Sequence, residues 1–418
     1  MPDNSWGPAR RLAFRFATAY FVLYLFPFPF NAIPKTEPLF KWWDAAWAVV
    51  VKWTGLHVFG VTITVLPNGS GDTTFNYVQL FCALILAAVI AVVWSVFDRK
   101  RTSYDVPYHW LRAYIRFGLA GIMISYGAFK VIQAQFPAPS LDRLIQPYGD
   151  SSPMGLLWTF MGASAAYNVF AGAGEMLGGL LLTTRRTTAL GALVSIAVMS
   201  NVVMLNFAYD VPVKLYSAHL LLMAAFLLLP DLRRLANVLV FNRDAAAAEL
   251  HPQLGERWRR WAPLARTAFV VLLLVPPLMQ ARQQQQFYAK RSPLRGIWTV
   301  EEFAVDGQPH PPLVSDLARW RRVVFDYSGT LSVQLMSDTR VRYALNLDEK
   351  KRTMVLSRRF VPGKKFAMSY AVPTPGVMTL AGQLEGKKIE AKLRLVPTPS
   401  FLLTSRGFHW INELPFNR

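Results

Sequence analysis

Apolar residues run in long blocks through the first two thirds of the chain and alternate with polar residues in the last third. The blocks at about 12–30, 74–97, 109–134, 156–182, 187–208, 215–230 and 265–281 approach or exceed the roughly 17–25 residues of a bilayer-spanning helix. The pattern predicts a membrane all-α bundle of about seven transmembrane helices. The stretch 39–62, rich in Trp and interrupted by Lys, fits a helix lying in the interface or packed on the bundle, and an extra span stays open. From about residue 294 the period changes to two, in short runs separated by turn signals: SG at 328–329, DEKK at 348–351, PGKK at 362–365, PTPG at 373–376 and EGKK at 385–388. Roughly eight to ten short strands joined in this way predict an up-and-down antiparallel β-barrel, of a size able to hold one small ligand. Between the two textures lies ARQQQQFYAKRSP (281–293), a polar stretch that reads as a tether.

Charge adds orientation. The formal net charge is +20 and the hydrophobic fraction 53%. In a chain this apolar, basic residues beside apolar runs mark topology and anionic lipid rather than nucleic acid. Arg10–Arg11, DRKR at 98–101, Arg185–Arg186 and the loop from Arg233 to Arg260 all fall on one side of the bundle if about seven helices span. That side is expected to be cytoplasmic, which sends the C-terminal segment to the periplasm of a bacterial inner-membrane, multi-pass protein. The first block lacks a small-x-small cleavage signal and reads as an uncleaved span. Cys82, the single cysteine, sits inside an apolar run and reads as packing. Asn68-Gly69-Ser70 reads as a turn. The expected organisation is an N-terminal membrane region (1–104), a helical core (105–235), a basic loop with the last span (236–282), a linker (283–293) and the barrel (294–418).

RFGLAGIMISYGAFKVI (116–132), the run from Leu156 through YNVFAGAGEMLGGLLL (167–182) to Asn206, and LLLPDLRRL (227–235) together resemble the DoxX family of bacterial membrane proteins. The likeness covers about 105–235 and rests on Gly127 and Lys130, on Gly172 and Glu175, and on the arginine turn that follows. It implies a four-helix bundle and, as in some members, a link to thiosulfate or quinone redox chemistry. The tail resembles the lipocalin superfamily. Gly296-Ile297-Trp298 matches the GxW element of a first strand, and Arg406 matches the arginine that packs across that Trp. The resemblance implies that Trp298 and Arg406 close one end of the barrel.

The chemistry-bearing residues are few. A carboxylate within a bilayer helix costs several kcal/mol unless paired. Counting about 1.5 Å per residue from the cytoplasmic ends puts Glu175 and Arg116 at similar depth, about 10 Å in, and predicts a structural ion pair between them. A second group, Tyr126, Lys130, Tyr167, Asn168, Asn201, Asn206 and His219, falls in the outer half of the bundle and is expected to line an outward-opening ligand cavity. The alternative is interfacial tyrosine and a snorkelling lysine. One histidine per layer makes no metal site, and the chain has no HExxH, P-loop or GxGxxG. The pattern supports two readings. In one, a lipophilic redox partner of quinone type binds in the bundle and the barrel carries a ligand, with another redox or envelope subunit as partner. In the other, the protein is a non-enzymatic membrane assembly or interaction protein, or a lipid carrier.

Overall fold

The structure, a computed structural model, describes residues 5–65, 69–246, 260–358, 363–397 and 401–417. Asn68 of the Asn68-Gly69-Ser70 turn, the first position of PGKK and most of the basic run ending at Arg260 lie outside the described residues. The chain divides into two compact units, Met1–Ile132 with Tyr167–Ala281, and Gln133–Ala166 with Arg282–Arg418.

The first unit is helical. Its described helices are α1 (Pro8–Leu25), α2 (Lys41–Val58), α3 (Thr74–Phe97), α4 (Asp105–Val131), α7 (Ala165–Leu182), α8 (Thr188–Ala208), α9 (Lys214–Leu228), α10 (Leu232–Leu239) and the greater part of α11 (Ala262–Ala289). Helices α5 (Leu141–Leu144) and α6 (Pro153–Ala163) belong to the second unit. Five described helical segments are long and apolar enough to cross a bilayer: Pro8–Ala32, Thr74–Phe97, Arg185–Ala208, Lys214–Leu239 and Ala262–Ala289. Many of their outward side chains are large and apolar, among them Val89, Val92, Leu190, Met204 and Met279. The ambiguous 39–62 stretch forms α2, which packs on α3 through Trp47, Val51 and Thr54 and leaves Trp42, Val49 and Trp53 exposed.

One block differs from expectation. The apolar run 156–182 is not one span. It breaks at the extended residue Ser164, and α6 and α7 fall in different units. Apolar composition alone conceals the break, because both halves carry the same small and aliphatic residues.

Glycines set the helix contacts. A Cβ on Gly172 would meet the Gly127 carbonyl oxygen at 2.7 Å, and one on Gly179 the Ala120 carbonyl oxygen at 2.9 Å. The backbones of α4 and α7 therefore touch, as small residues allow in membrane helices. The Gly174-xxx-Gly178 pair faces α8 instead, where a Cβ on Gly178 would lie 2.8 Å from Ser195 Oγ. At one end of the unit the Asp72 carboxylate accepts the first backbone N–H groups of α9, from Lys214 (2.7 Å) and Leu215 (3.0 Å). At the other end the basic segments meet. Arg11 donates to the Arg101 carbonyl (3.0 Å), Trp6 Nε1 donates to Asp105 (2.9 Å), and Arg112 lies 3.6 Å from Asp231.

The second unit holds a closed antiparallel barrel of eight strands: β1 (Arg291–Val305), β3 (Trp320–Tyr327), β4 (Thr330–Leu335), β5 (Arg340–Asp348), β6 (Thr353–Arg358), β7 (Lys365–Thr374), β8 (Val377–Leu384) and β9 (Lys387–Leu395). Each strand from β3 pairs with the next, and β9 returns to β1 with Trp298 opposite Leu395. The two-residue β2 (Gln308–Pro309) pairs with the end of β1. The turn signals sit where the strands reverse. Glu385 and Gly386 both take positive φ (56° and 87°), the backbone of a tight two-residue hairpin. Inward residues of all eight strands, including Trp298, Phe325, Leu356 and Leu393, form one packed core.

Three expectations for this region change. The 281–293 stretch is not a loose tether, because α11 runs through the glutamines to Ala289 and β1 begins at Arg291. Gln, Ala and Arg are good helix formers, and polarity alone does not break a helix. The last apolar segment, FLLTSRGFHWI (401–411), which the period-two reading counts among the eight to ten strands, is not a strand. Residues Leu402–Ser405 make one helical turn, α12, and the barrel is already closed by β9. Arg406 therefore does not pack on Trp298. It is 3.9 Å from the Phe416 ring and donates to Asn412 (2.6 Å), while Trp298 Nε1 donates to the Leu294 carbonyl (3.0 Å). The buried arginine of the barrel is Arg319, 2% exposed, whose Nη2 donates to the Val300 and Glu301 carbonyls.

Residues 133–166 pack on the barrel wall. Leu141 joins the outward-facing Ile297 and Val324 in a small apolar cluster. Asp142 accepts from Ser332 Oγ (2.7 Å) and Arg342 Nε (2.9 Å), and Asp326 accepts the Leu141 backbone N–H (2.8 Å).

Candidate functional site

The polar centre of the helical unit is built on the α4–α7 seam. Asn168, Gly172, Glu175 and Gly179 recur at helical spacing and share one buried face of α7. The glycines bring α4 close and hold the Glu175 carboxylate against it. Lys130 Nζ donates to both oxygens, at 2.6 and 2.7 Å, and both side chains are buried. Such a pair neutralises two charges that a buried apolar setting would otherwise exclude.

The expected partnership of Glu175 with Arg116 is thus corrected. Helix α4 begins at Asp105, and its contacts with α7 run antiparallel, Gly127 against Gly172 and Ile124 against Gly179. This register carries Arg116 to the level of Thr183–Arg186, about 15 Å from the level of Glu175. Depth counted from estimated helix ends missed this, since the end of α4 was misplaced by about a turn.

From Lys130 the polar groups continue across the unit. The Lys130 ammonium lies 5.7 Å from the Tyr126 ring centroid. The Tyr126 and Tyr216 rings pack against each other, with centroids 5.9 Å apart. Tyr24 stacks on His219, with ring centroids 4.3 Å apart, and on Tyr20 at 6.3 Å. His219 Nδ1 lies 2.6 Å from the Leu215 carbonyl, which can only accept, so Nδ1 carries the ring proton. A neutral ring then accepts at Nε2 from the Tyr20 hydroxyl, 2.5 Å away. The line thus runs from Glu175 on α7 through α4 and α9 to α1.

Of the seven residues expected to line one cavity, Tyr126, Lys130 and His219 belong to this line, and buried Asn168 shares the Glu175 face. Tyr167 is 38% exposed, with its ring beside Phe170. Asn201 is exposed on α8 and does not line an interior layer. Asn206 Nδ2 donates to Ser217 Oγ (3.0 Å) and ties α8 to α9. Helices apolar all round give no sequence signal for which face turns inward, and Asn201 was misplaced for that reason. Tyr20, Tyr24 and Tyr216 were missed. Their signal was spacing: Tyr20 with Tyr24, Tyr126 with Lys130, and Tyr216 with His219 each share a helix face. No cluster of metal-ligating side chains occurs among the described residues.

No family model matches the chain, and no solved structure matches it. It is similar to the "Uncharacterized protein YwoB" of Bacillus subtilis (strain 168), with 33% identity over 142 residues, which cover 34% of this chain and 86% of that protein. The chain belongs to the family of that protein.

Proposed function

We propose that this chain is a DoxX-like integral membrane protein that binds a lipophilic, carbonyl-bearing partner of quinone type and takes part in membrane redox processes. The observation that carries the reading is the line from the buried Glu175–Lys130 pair, past the partly exposed Tyr126, Tyr216 and Tyr24, to buried His219. An ammonium and phenol hydroxyls inside an apolar bundle are the donors that a quinone carbonyl, or the anion of its reduced form, would take. Any redox-active group would be supplied by the bound molecule or by another redox or envelope subunit.

On this reading about seven helices span a bacterial inner membrane: α1, α3, α4, α7, α8, α9 and α11. The basic ends then lie in the cytoplasm, and residues 133–166 and the barrel both lie outside. The shared packing of Asp142 and Leu141 on the barrel wall supports that placement, because it keeps the α4–α7 connection with the barrel in one unit.

The test is mass spectrometry of small molecules that co-purify with the full-length chain in mild detergent, beside Lys130→Met and Tyr126→Phe. A stoichiometric quinone-type molecule retained by the parent chain and lost from Lys130→Met is the expected result. Equal retention by Lys130→Met, or an empty parent chain, refutes the assignment.

A second reading is favoured by the barrel itself. Its interior is filled by Trp298, Phe325, Leu356 and their neighbours, which suits a protein-facing module better than a carrier. The molecule would then be a non-enzymatic membrane assembly protein. A stable protein partner captured by the full-length chain, with no small molecule bound, would support it over the first.

A further inference from the structure

The basic end of the helical unit contains a cleft of about 1290 Å³ that the polar line does not use. Four arginines line it: Arg116 on α4, Arg185 and Arg186 in the α7–α8 turn, and Arg266 on α11. Among the described residues no carboxylate lines it. Arg116 is 5% exposed, and its Nη1 lies buried without a hydrogen-bond partner among the described residues. A guanidinium N–H left in that state costs its full desolvation, and its natural complement is an anionic oxygen that accepts in the plane of the fork. Four aromatic rings share the remaining wall with small residues: Trp110, Phe117, Trp261 and Phe269, of which Trp110 and Trp261 are more than half exposed.

We propose that this cleft binds an anionic phospholipid, with its phosphate on Arg116, Arg185 and Arg266 and its acyl chains against Trp110 and Trp261. The combination selects the occupant. A free phosphate would satisfy the arginines and leave the aromatic wall uncovered, whereas an amphiphile meets both. Tryptophan and arginine together mark the headgroup level of a bilayer, and the positive-inside rule assigns this end to the leaflet that carries anionic lipid. The inference rests on the membrane reading above, but not on the quinone site.

The test uses the full-length chain reconstituted in lipid nanodiscs and analysed by native mass spectrometry. Phosphatidylglycerol and phosphatidylcholine are offered in competition, and inorganic phosphate is then added. Expected is retention of phosphatidylglycerol over phosphatidylcholine, weakened roughly fivefold for each arginine removed in Arg116→Gln and Arg266→Gln. Exposed Arg266 keeps the test valid where Arg116→Gln fails to fold, and Arg358→Gln on the barrel is the unaffected control. Equal retention of the two lipids, or unchanged retention in Arg266→Gln, overturns the proposal. Displacement of the lipid by inorganic phosphate alone overturns it in favour of a free-anion site. Failure of the chain to enter the bilayer overturns the membrane reading along with it.

Discussion

Removing Lys130 and Glu175 one at a time and then together asks what the buried pair is for. The two side chains share two hydrogen bonds at 2.6 and 2.7 Å and are 8% and 3% exposed. Lys130→Met leaves a carboxylate among apolar helices, and Glu175→Leu leaves an ammonium there. Breaking a buried pair on one side costs about 3–5 kcal/mol, because the remaining charge has lost its counterpart. Replacing both by apolar groups of similar volume is near neutral, since neither charge then has to be desolvated. Each single variant should therefore lose about 3 kcal/mol, more than a hundredfold in the unfolding equilibrium, and the double variant Lys130→Met/Glu175→Leu should recover most of it. Equilibrium unfolding of the full-length chain in detergent, followed by circular dichroism, reads all four states of the cycle. A double variant destabilised by the sum of the two singles would refute the reasoning, because it would mean that the two groups act independently. The double variant also separates structure from chemistry: a stable protein that no longer retains a quinone would show that the pair is needed for the ligand and dispensable for the fold.

Gly172→Ala should destabilise the helical unit by about 2 kcal/mol, since the new Cβ would sit 2.7 Å from the Gly127 carbonyl oxygen and cannot be relieved by a rotamer change; the same unfolding assay reads it. Asp142→Ala should loosen residues 133–166 from the barrel wall by about 2 kcal/mol, a value reduced because Arg342 is 51% exposed. Faster amide exchange at Leu141 and Leu144, with β5 and β6 unaffected, is the expected outcome, and unchanged protection would contradict it. The hydrogen bond from His310 and the backbone N–H groups of Ala318 and Arg319 hold the Asp316 carboxyl below the usual aspartate range. A carboxyl depressed on folding contributes stability that is fully present above its unfolded value, about 3.9, and is lost as pH falls through the folded value. Amide protection at Ala318 and Arg319 should thus fall below about pH 4 in the parent chain and be less pH-dependent in Asp316→Asn.

Period and composition made the architecture readable where one physical requirement dominates. Long apolar runs marked the helices because a helix pairs its own backbone polar groups within an apolar stretch, and period-two alternation with PTPG and EGKK marked the hairpins because a barrel has one wet and one dry face. Relations across the chain were less readable. The Lys130–Glu175 partnership depends on the antiparallel register of α4 and α7, which Gly127 and Gly172 fix only once they are known to face each other. Arg406 failed as a partner of Trp298 because a three-residue motif says nothing about where β9 closes the barrel. Asn201 and Asn206, five residues apart on α8, looked equivalent in the sequence, yet one turns outward and the other ties two helices together. Tyr24 and Tyr216 carried only a helical spacing, to Tyr20 and to His219, and their partners His219 and Tyr126 on other helices became visible only in the fold.

The seam at Gly127, Gly172 and Gly179 also bears on heredity. Every missense change of a glycine codon brings in a residue with at least a Cβ, and at these positions that carbon would meet backbone atoms at 2.6 to 2.9 Å. Conservative change is therefore closed to them at the level of the gene. A saturation scan of the chain should show these positions as empty columns, while Gly7 and Gly149, with open space around them, fill with variants.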